Sequence, residues 1–373
     1  CAMGRFNKNS ISAKNVQTIF NFLKLSLAFL VAILIVVVVI FLCADEPFST
    51  MHYFFLSPFD SVRHMGNIIE NATPVLFTGV ATCLLFSAGD VTLAGEGAVY
   101  FGGFVASAVA VSLPIQNDAL KIIALLTGAL VGILIAVLPA FVQNKFKVDS
   151  FVFSLLFNYV LLYIGSYFLN YKLHDYSYKS GTATAPFPEF AVLHSLIPKT
   201  SVNVGFFIGL LLAVGAWVFS NKTKWGYEAK LLRSNPHFAK YVGVNVVKIS
   251  LIAAALGGFV AALGGGVEIL GKAPRFSWTA LPGYGWDGFM VATLAYYNPI
   301  LVPFAALFLG YLRTGANIMN LYSNIPLELI SAIQAVMILL IASKAMLNKS
   351  QQRMIEKQTR LRAQQEEKSG EGA

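Results

Sequence analysis

Two sets of residues in this sequence could carry chemistry, and in both it is contact and leverage rather than bond cleavage. The first is 226–245, GYEAKLLRSNPHFAKYVGVN, a basic stretch with Lys230, Arg233 and Lys240 against Glu228. Asn235 and Pro236 can open a short helix, because proline is tolerated in a first turn, and Gly243 can close it. Phe238, Ala239 and Val242 then stand at i, i+1 and i+4. One apolar face, flanked by Arg233 and Lys240, can seat in a groove on another molecule. Between two long apolar stretches, such a segment reads as a surface on which a cytosolic partner docks and drives the chain.

The second set sits inside the apolar stretches. Residues 87–103, SAGDVTLAGEGAVYFGG, carry five glycines and three alanines that let backbones approach closely. Glu96 stands six residues into an expected span, about 9 Å deep at 1.5 Å per residue. An ionisable group there is expensive unless paired or wet. It reads either as part of a gate or as a structural carboxylate bonded to nearby backbone. Residues 256–287 combine a glycine-rich face with Pro282, Gly283, Gly285 and Asp287. Irregular backbone at that depth is tolerated only when buried in protein or lining a cavity, which favours a broken helix near a pathway over an ordinary outer loop. Asn158, in a nearly apolar run, either hydrogen-bonds between helices or touches a substrate. Arg313 needs a partner, expected among Glu70, Glu268 and Glu328.

Other chemistries lack their residues. There is no GxxxxGK[ST], no nucleophile elbow and no HExxH. Cys1, Cys43 and Cys83 are odd in number and unclustered, and the five histidines are scattered. Neither a disulfide framework nor a metal site is expected, and no catalytic residue is assigned.

The elements that would position these residues are membrane helices. The chain has 373 residues, 57% of them apolar and 12% charged, and mean hydropathy is +0.67. Ten apolar spans are expected, at 25–44, 67–88, 91–113, 120–142, 151–170, 203–220, 248–270, 286–296, 299–319 and 327–347. The eighth is too short to cross alone and reads as half a helix completed by the segment before it. If both ends are cytosolic and the spans alternate, 19 of the 27 Lys and Arg fall inside, 7 outside and Arg313 within a span. That asymmetry supports this orientation and explains the net charge of +9 without nucleic acid. The organisation expected is a cytosolic segment 1–24, a membrane domain 25–348 with outer loops 45–66 and 171–202 and an inner loop 221–247, and a polar tail 349–373. Spans two to five and seven to ten are similar in length and start on opposite sides, as in an inverted repeat.

Four stretches carry a resemblance. Residues 72–81, ATPVLFTGVA, are similar to "ATPLILTGLA"; 86–97 resemble "F.AGLFNIGAEG"; 225–244 resemble "GF.LRAVGENP.AARYAGI"; 282–316 resemble "GYGF.GIAVALLGRNNPLGV…LFG.L.AG". In that order and spacing they are similar to permease subunits of ATP-binding-cassette importers of the branched-chain amino acid, simple sugar and nucleoside group, nearest the nucleoside (basic membrane protein-associated) branch. Thr92 stands where the family has Asn, Ala94 where it has Gly, and Ser150 where it has Glu. Leu232 and Ser234 depart from the pattern around Arg233.

The resemblance implies an all-α, type II-like importer permease of about ten helices in a bacterial inner membrane. It implies a cytosolic ATPase that uses ATP and Mg, a second related permease, and an external substrate-binding lipoprotein; this chain itself would bind no cofactor. Coupling would fall to Arg233, Asn235, Pro236, Phe238, Ala239, Lys240 and Gly243, and the pathway to Thr92, Glu96, Asn158, Gly283, Gly285 and Asp287. The expected cargo is a nucleoside. A simple sugar of the ribose or galactose type is the first alternative. An ion-coupled secondary transporter, with Glu96, Glu70 and Glu268 as acidic ligands, is another, and a non-transporting scaffold a third.

Overall fold

In the computed structural model, residues 37, 38, 41, 46–178 and 181–322 are described. Apart from those first three residues, the expected span 25–44 lies outside them. So do Cys1, Cys43, Glu328, the segment 1–24, the span 327–347 and the tail 349–373. His52–Ile318 forms one compact unit.

The described chain is all-helical. Its eleven α-helices are α1 Pro47–Phe55, α2 Val62–Leu85, α3 Ala94–Ser112, α4 Ala119–Phe146, α5 Ser150–Tyr171, α6 Gly205–Lys222, α7 Lys224–Ser234, α8 Pro236–Tyr241, α9 Val246–Lys272, α10 Tyr284–Leu294 and α11 Val302–Tyr322. Each expected span between 67 and 319 coincides with one of them. Six are long and apolar enough to cross a membrane: α2 with the 3-10 turn that continues it to Ala88, α3, α4, α5, α6 and α9. α10, with 11 residues, is about 16 Å long and cannot cross by itself. The count of ten is not reached in the described residues, and the expected repeat has its last span outside them.

Helix starts are set by side-chain caps that satisfy otherwise unpaired N–H groups. Ser61 accepts from His64 N–H at 3.1 Å, Asp149 from Phe151 and Val152 N–H at 2.8 and 3.1 Å, and Asn245 from Lys248 N–H at 3.0 Å. Pro74 lies inside α2, and the Thr78 hydroxyl donates to the Pro74 carbonyl at 3.1 Å, so that the buried hydroxyl is satisfied within its own helix.

The centre is a close-packed layer of α3, α4 and α9. A Cβ at Gly265 would collide with the Val99 carbonyl, and one at Gly128 would lie 2.6 Å from the Gly102 carbonyl oxygen. Lipid gives apolar helices no hydrophobic reason to associate, so backbone approach through small residues supplies the dispersion contacts. The glycines of 87–103 and 256–271 thus do what their spacing suggests.

One end of the unit carries α7, α8 and the start of α9. At the other, Lys272 on α9 pairs with Glu70 of α2 at 3.0 Å and Glu268 at 3.5 Å. The loop after α5 covers that end: Phe187 N–H donates to the Pro274 carbonyl at 2.9 Å, Thr184 N–H to the Phe276 carbonyl at 3.1 Å, and Arg275 pairs with Asp175 at 3.0 Å. The Ser177 N–H, and then the Arg275 guanidinium, hold the Asp175 carboxyl below the usual carboxylate range.

Candidate functional site

Residues 273–283 leave α9, run back along the bundle without helical structure and end where α10 begins. Trp278 lies near-parallel to Tyr100 of α3, with ring centroids 6.4 Å apart. Gly283 then takes a left-handed φ of 82° and caps α10. This is the broken helix expected from Pro282, Gly283 and Gly285.

Glu96 holds the break in place. It is buried in the first turn of α3. Its carboxylate accepts from Gly283 N–H at 2.6 Å and from Gly285 N–H. The carboxylate therefore sits against the first turn of two helices, where unpaired N–H groups and the helix dipole favour negative charge. Of the two roles open for Glu96, the structural one is what the geometry displays. Gly285 makes the approach possible, since a Cβ there would lie 2.6 Å from the Glu96 backbone nitrogen.

Asn158 on α5 braces the same turn. Its Oδ1 accepts from Gly97 N–H at 3.1 Å and its Nδ2 donates to the Leu93 carbonyl at 3.0 Å, the interhelical bond foreseen as one of its two roles. Thr92 acts locally: its hydroxyl oxygen accepts from Ala94 N–H at 3.2 Å. Thr92, Glu96, Asn158, Gly283 and Gly285 thus form one seam at the start of α3.

Arg313 corrects an expectation. Among the described residues its partner is neither Glu70 nor Glu268 but Asp287, in the first turn of α10, at 2.6 Å; Glu328 lies outside them. Glu70 and Glu268 are occupied with Lys272, and Glu268 also accepts from the Tyr284 hydroxyl at 3.0 Å. The Asp287 and Arg313 side chains are 8% and 22% exposed, so breaking the pair strands a poorly solvated charge. Arg313→Met is expected to cost about 3–5 kcal/mol. Adding Asp287→Leu to Arg313→Met should recover a large part of it. Thermal melting of the detergent-purified single and double variants checks this; additive losses would contradict it.

At the other end, α7 and α8 form a platform. Asn235 accepts from Phe238 N–H at 3.0 Å, Pro236 occupies the first turn of α8, and Gly243 comes after it with a φ of 84°. Phe238 is 51% and Tyr241 90% exposed, whereas Ala239 is fully buried. Ala239 packs with Ala88, Ala229, Leu232, Ile249 and Ala253. This corrects the face expected to dock: position 239 belongs to the seam that fixes α8 to α9 and the end of α2, and Phe238 and Val242 are the outward apolar residues. Arg233 and Lys240 are exposed beside them.

Two features here had no signal in the sequence. Asp90 accepts from Gln143 Nε2 at 3.0 Å and from the Ser250 hydroxyl, tying α4 to the start of α9. Arg233 places its guanidinium over the Tyr297 ring, 4.7 Å from the centroid, a contact worth about 1 kcal/mol. Among the described residues no group of three or more His, Cys, Asp or Glu could hold a metal ion.

Residues 64–342 match the family described as a branched-chain amino acid transport system permease component. A guanosine ABC transporter permease of Bacillus subtilis is 28% identical over 76% of this chain and 82% of its own length. A glucose ABC transporter permease of Haloferax volcanii is 28% identical over 79% of this chain and 80% of its own. A nucleoside ABC transporter permease of Lactococcus lactis is 25% identical over 78% and 82%. No solved structure matches the chain.

Proposed function

The chain belongs to this permease family, and from that premise we propose that it is the nucleoside-conducting subunit of an ATP-driven importer. The observation that carries the proposal is the α7–α8 platform: outward Phe238, Tyr241 and Val242 on an element welded by Ala239 and Leu232 to the helices of the bundle. In an ATP-driven importer a conducting subunit without its own nucleotide site receives work through such a surface, and a cytosolic ATPase using ATP and Mg supplies it here. A substrate-binding lipoprotein delivers cargo at the opposite face, a second related permease completes the pathway, and both termini of this multi-pass protein lie in the cytosol, as its charge asymmetry favours.

Nucleoside cargo is favoured by the guanosine and nucleoside relatives. The glucose permease, equally identical to the first of these, favours a simple sugar as the second reading. Uptake of radiolabelled nucleoside by cells with and without the gene decides. Loss of uptake on deletion, competed by unlabelled nucleosides and not by ribose or galactose, is the expected result. Competition by sugars alone would replace the cargo and leave the importer intact; unchanged uptake in the deletion would remove the nucleoside reading.

A further inference from the structure

α10 is gripped at both ends. At its start Glu96 accepts from Gly283 and Gly285 N–H. Just past its end, Tyr297 lies under the Arg233 guanidinium, with the Phe86 ring 5.8 Å away on the other element it meets. Tyr296 and Tyr297 hold φ values of 53° and 55°, a left-handed pair that L side chains adopt only where the surroundings over-determine it. Those surroundings are specific. Tyr297 N–H donates to the Ala292 carbonyl at 2.7 Å, and its hydroxyl shares a hydrogen bond with the Thr293 hydroxyl at 3.3 Å. Glycine would close such a helix without strain, so what position 297 supplies is the ring.

Arg233 belongs to the last turn of α7, on the platform itself. That turn also abuts the end of α2: a Cβ at Gly89 would lie 3.1 Å from the Arg233 Cα. The platform therefore meets the bundle where α2 ends and where α10 ends. Only α10 is short, and it leads to the Glu96 seam. A packed helix of this length shifts as a unit rather than bending.

We infer that Tyr297 is the positioning residue through which α7 moves α10, the Arg233–Tyr297 contact at one end displacing the Gly283–Gly285–Glu96 seam at the other. This rests on the proposal that an ATPase docks on α7–α8. The linkage requires the face of an aromatic ring at 297, not its hydroxyl and not a relaxed backbone.

The test uses the importer assembled with its ATPase, and the permease alone in membranes. In the complex, Tyr297→Phe should keep coupled uptake. Tyr297→Leu and Tyr297→Gly should lower it about tenfold while basal ATP hydrolysis stays near wild type, although glycine relieves the left-handed strain. A merely structural role predicts the reverse order, with glycine the best tolerated. In the permease alone, Leu281→Cys reports on the far end of α10: its alkylation rate should change with Tyr297→Leu and not with Tyr297→Phe. That arm reads the linkage even if the wild-type complex shows no coupled ATPase, a result that would count against the docking proposal instead. Full uptake in Tyr297→Leu, equal loss in Phe and Leu variants, failure of Tyr297→Leu to assemble, or an unchanged rate at position 281 would each overturn the inference.

Discussion

Gly285→Val is expected to abolish transport while leaving membrane insertion intact, and Gly283→Val to impair it less. The sequence treats the two glycines alike; the structure separates them. At Gly285 an added Cβ would lie 2.6 and 2.7 Å from the Glu96 backbone nitrogen and Cα, so two backbones must part. Valine adds two methyls to that collision. At Gly283 a Cβ meets nothing within 4 Å, and the penalty is the left-handed φ of 82°, about 1–2 kcal/mol. Glu96→Leu should resemble Gly285→Val, because it strands the Gly283 and Gly285 N–H groups at about 1–3 kcal/mol each. Together that is a large part of what holds a marginally stable fold. Glu96→Gln keeps one acceptor but turns an NH₂ toward the second donor, and should fall between. Insertion depends on span hydropathy, which none of these changes lowers. Uptake, together with melting of the purified permease, checks the order; a Gly285→Val variant that transports normally would mean that the segment does not pack on α3.

How much of this was legible depends on the kind of information each feature needs. Helices and their starts were readable because they are local: apolar runs, and Asn235 with Pro236 at the head of α8, act within one turn. The break before α10 was readable because Pro282, Gly283 and Gly285 exclude a continuous helix whatever surrounds them. Arg313 was different. Its need for a partner comes from the cost of a charge in a span, but which carboxylate answers depends on how α10 lies against α11, and Asp287 carries the same charge as its rivals. Phe238 and Ala239 show the same limit: periodicity places apolar residues on a short helix without saying which face the chain keeps for itself. Tyr297 left no signal, since what sets it apart among 15 tyrosines is the guanidinium of Arg233, which comes from a distant element.

The coupling surface yields the second large effect, and the two residues that look equivalent in sequence should fail in opposite ways. Phe238 is half exposed on the platform. Phe238→Asp removes an apolar contact and places a carboxylate where the partner's groove must be dry, yet position 238 lies outside the buried cluster that anchors α8. The variant should reach the membrane and melt like wild type, while substrate-stimulated ATP hydrolysis and uptake by the complex are lost. Ala239 is sealed among Ala88, Ala229, Leu232, Ile249 and Ala253. Ala239→Arg forces a long cation into a space with room for a methyl group, at a cost of several kcal/mol or a detached α8. That variant should lose thermal stability and protease resistance of the 222–246 region before coupling is assayed at all. Measuring melting and coupled ATPase on both variants separates docking from anchoring. If Phe238→Asp retains full stimulated activity, α8 is not the element that meets the ATPase, and the importer reading loses its main structural support. If Ala239→Arg melts like wild type, the seam beneath α8 is not what fixes the platform to α9, and motion of the platform would have no rigid route into the bundle.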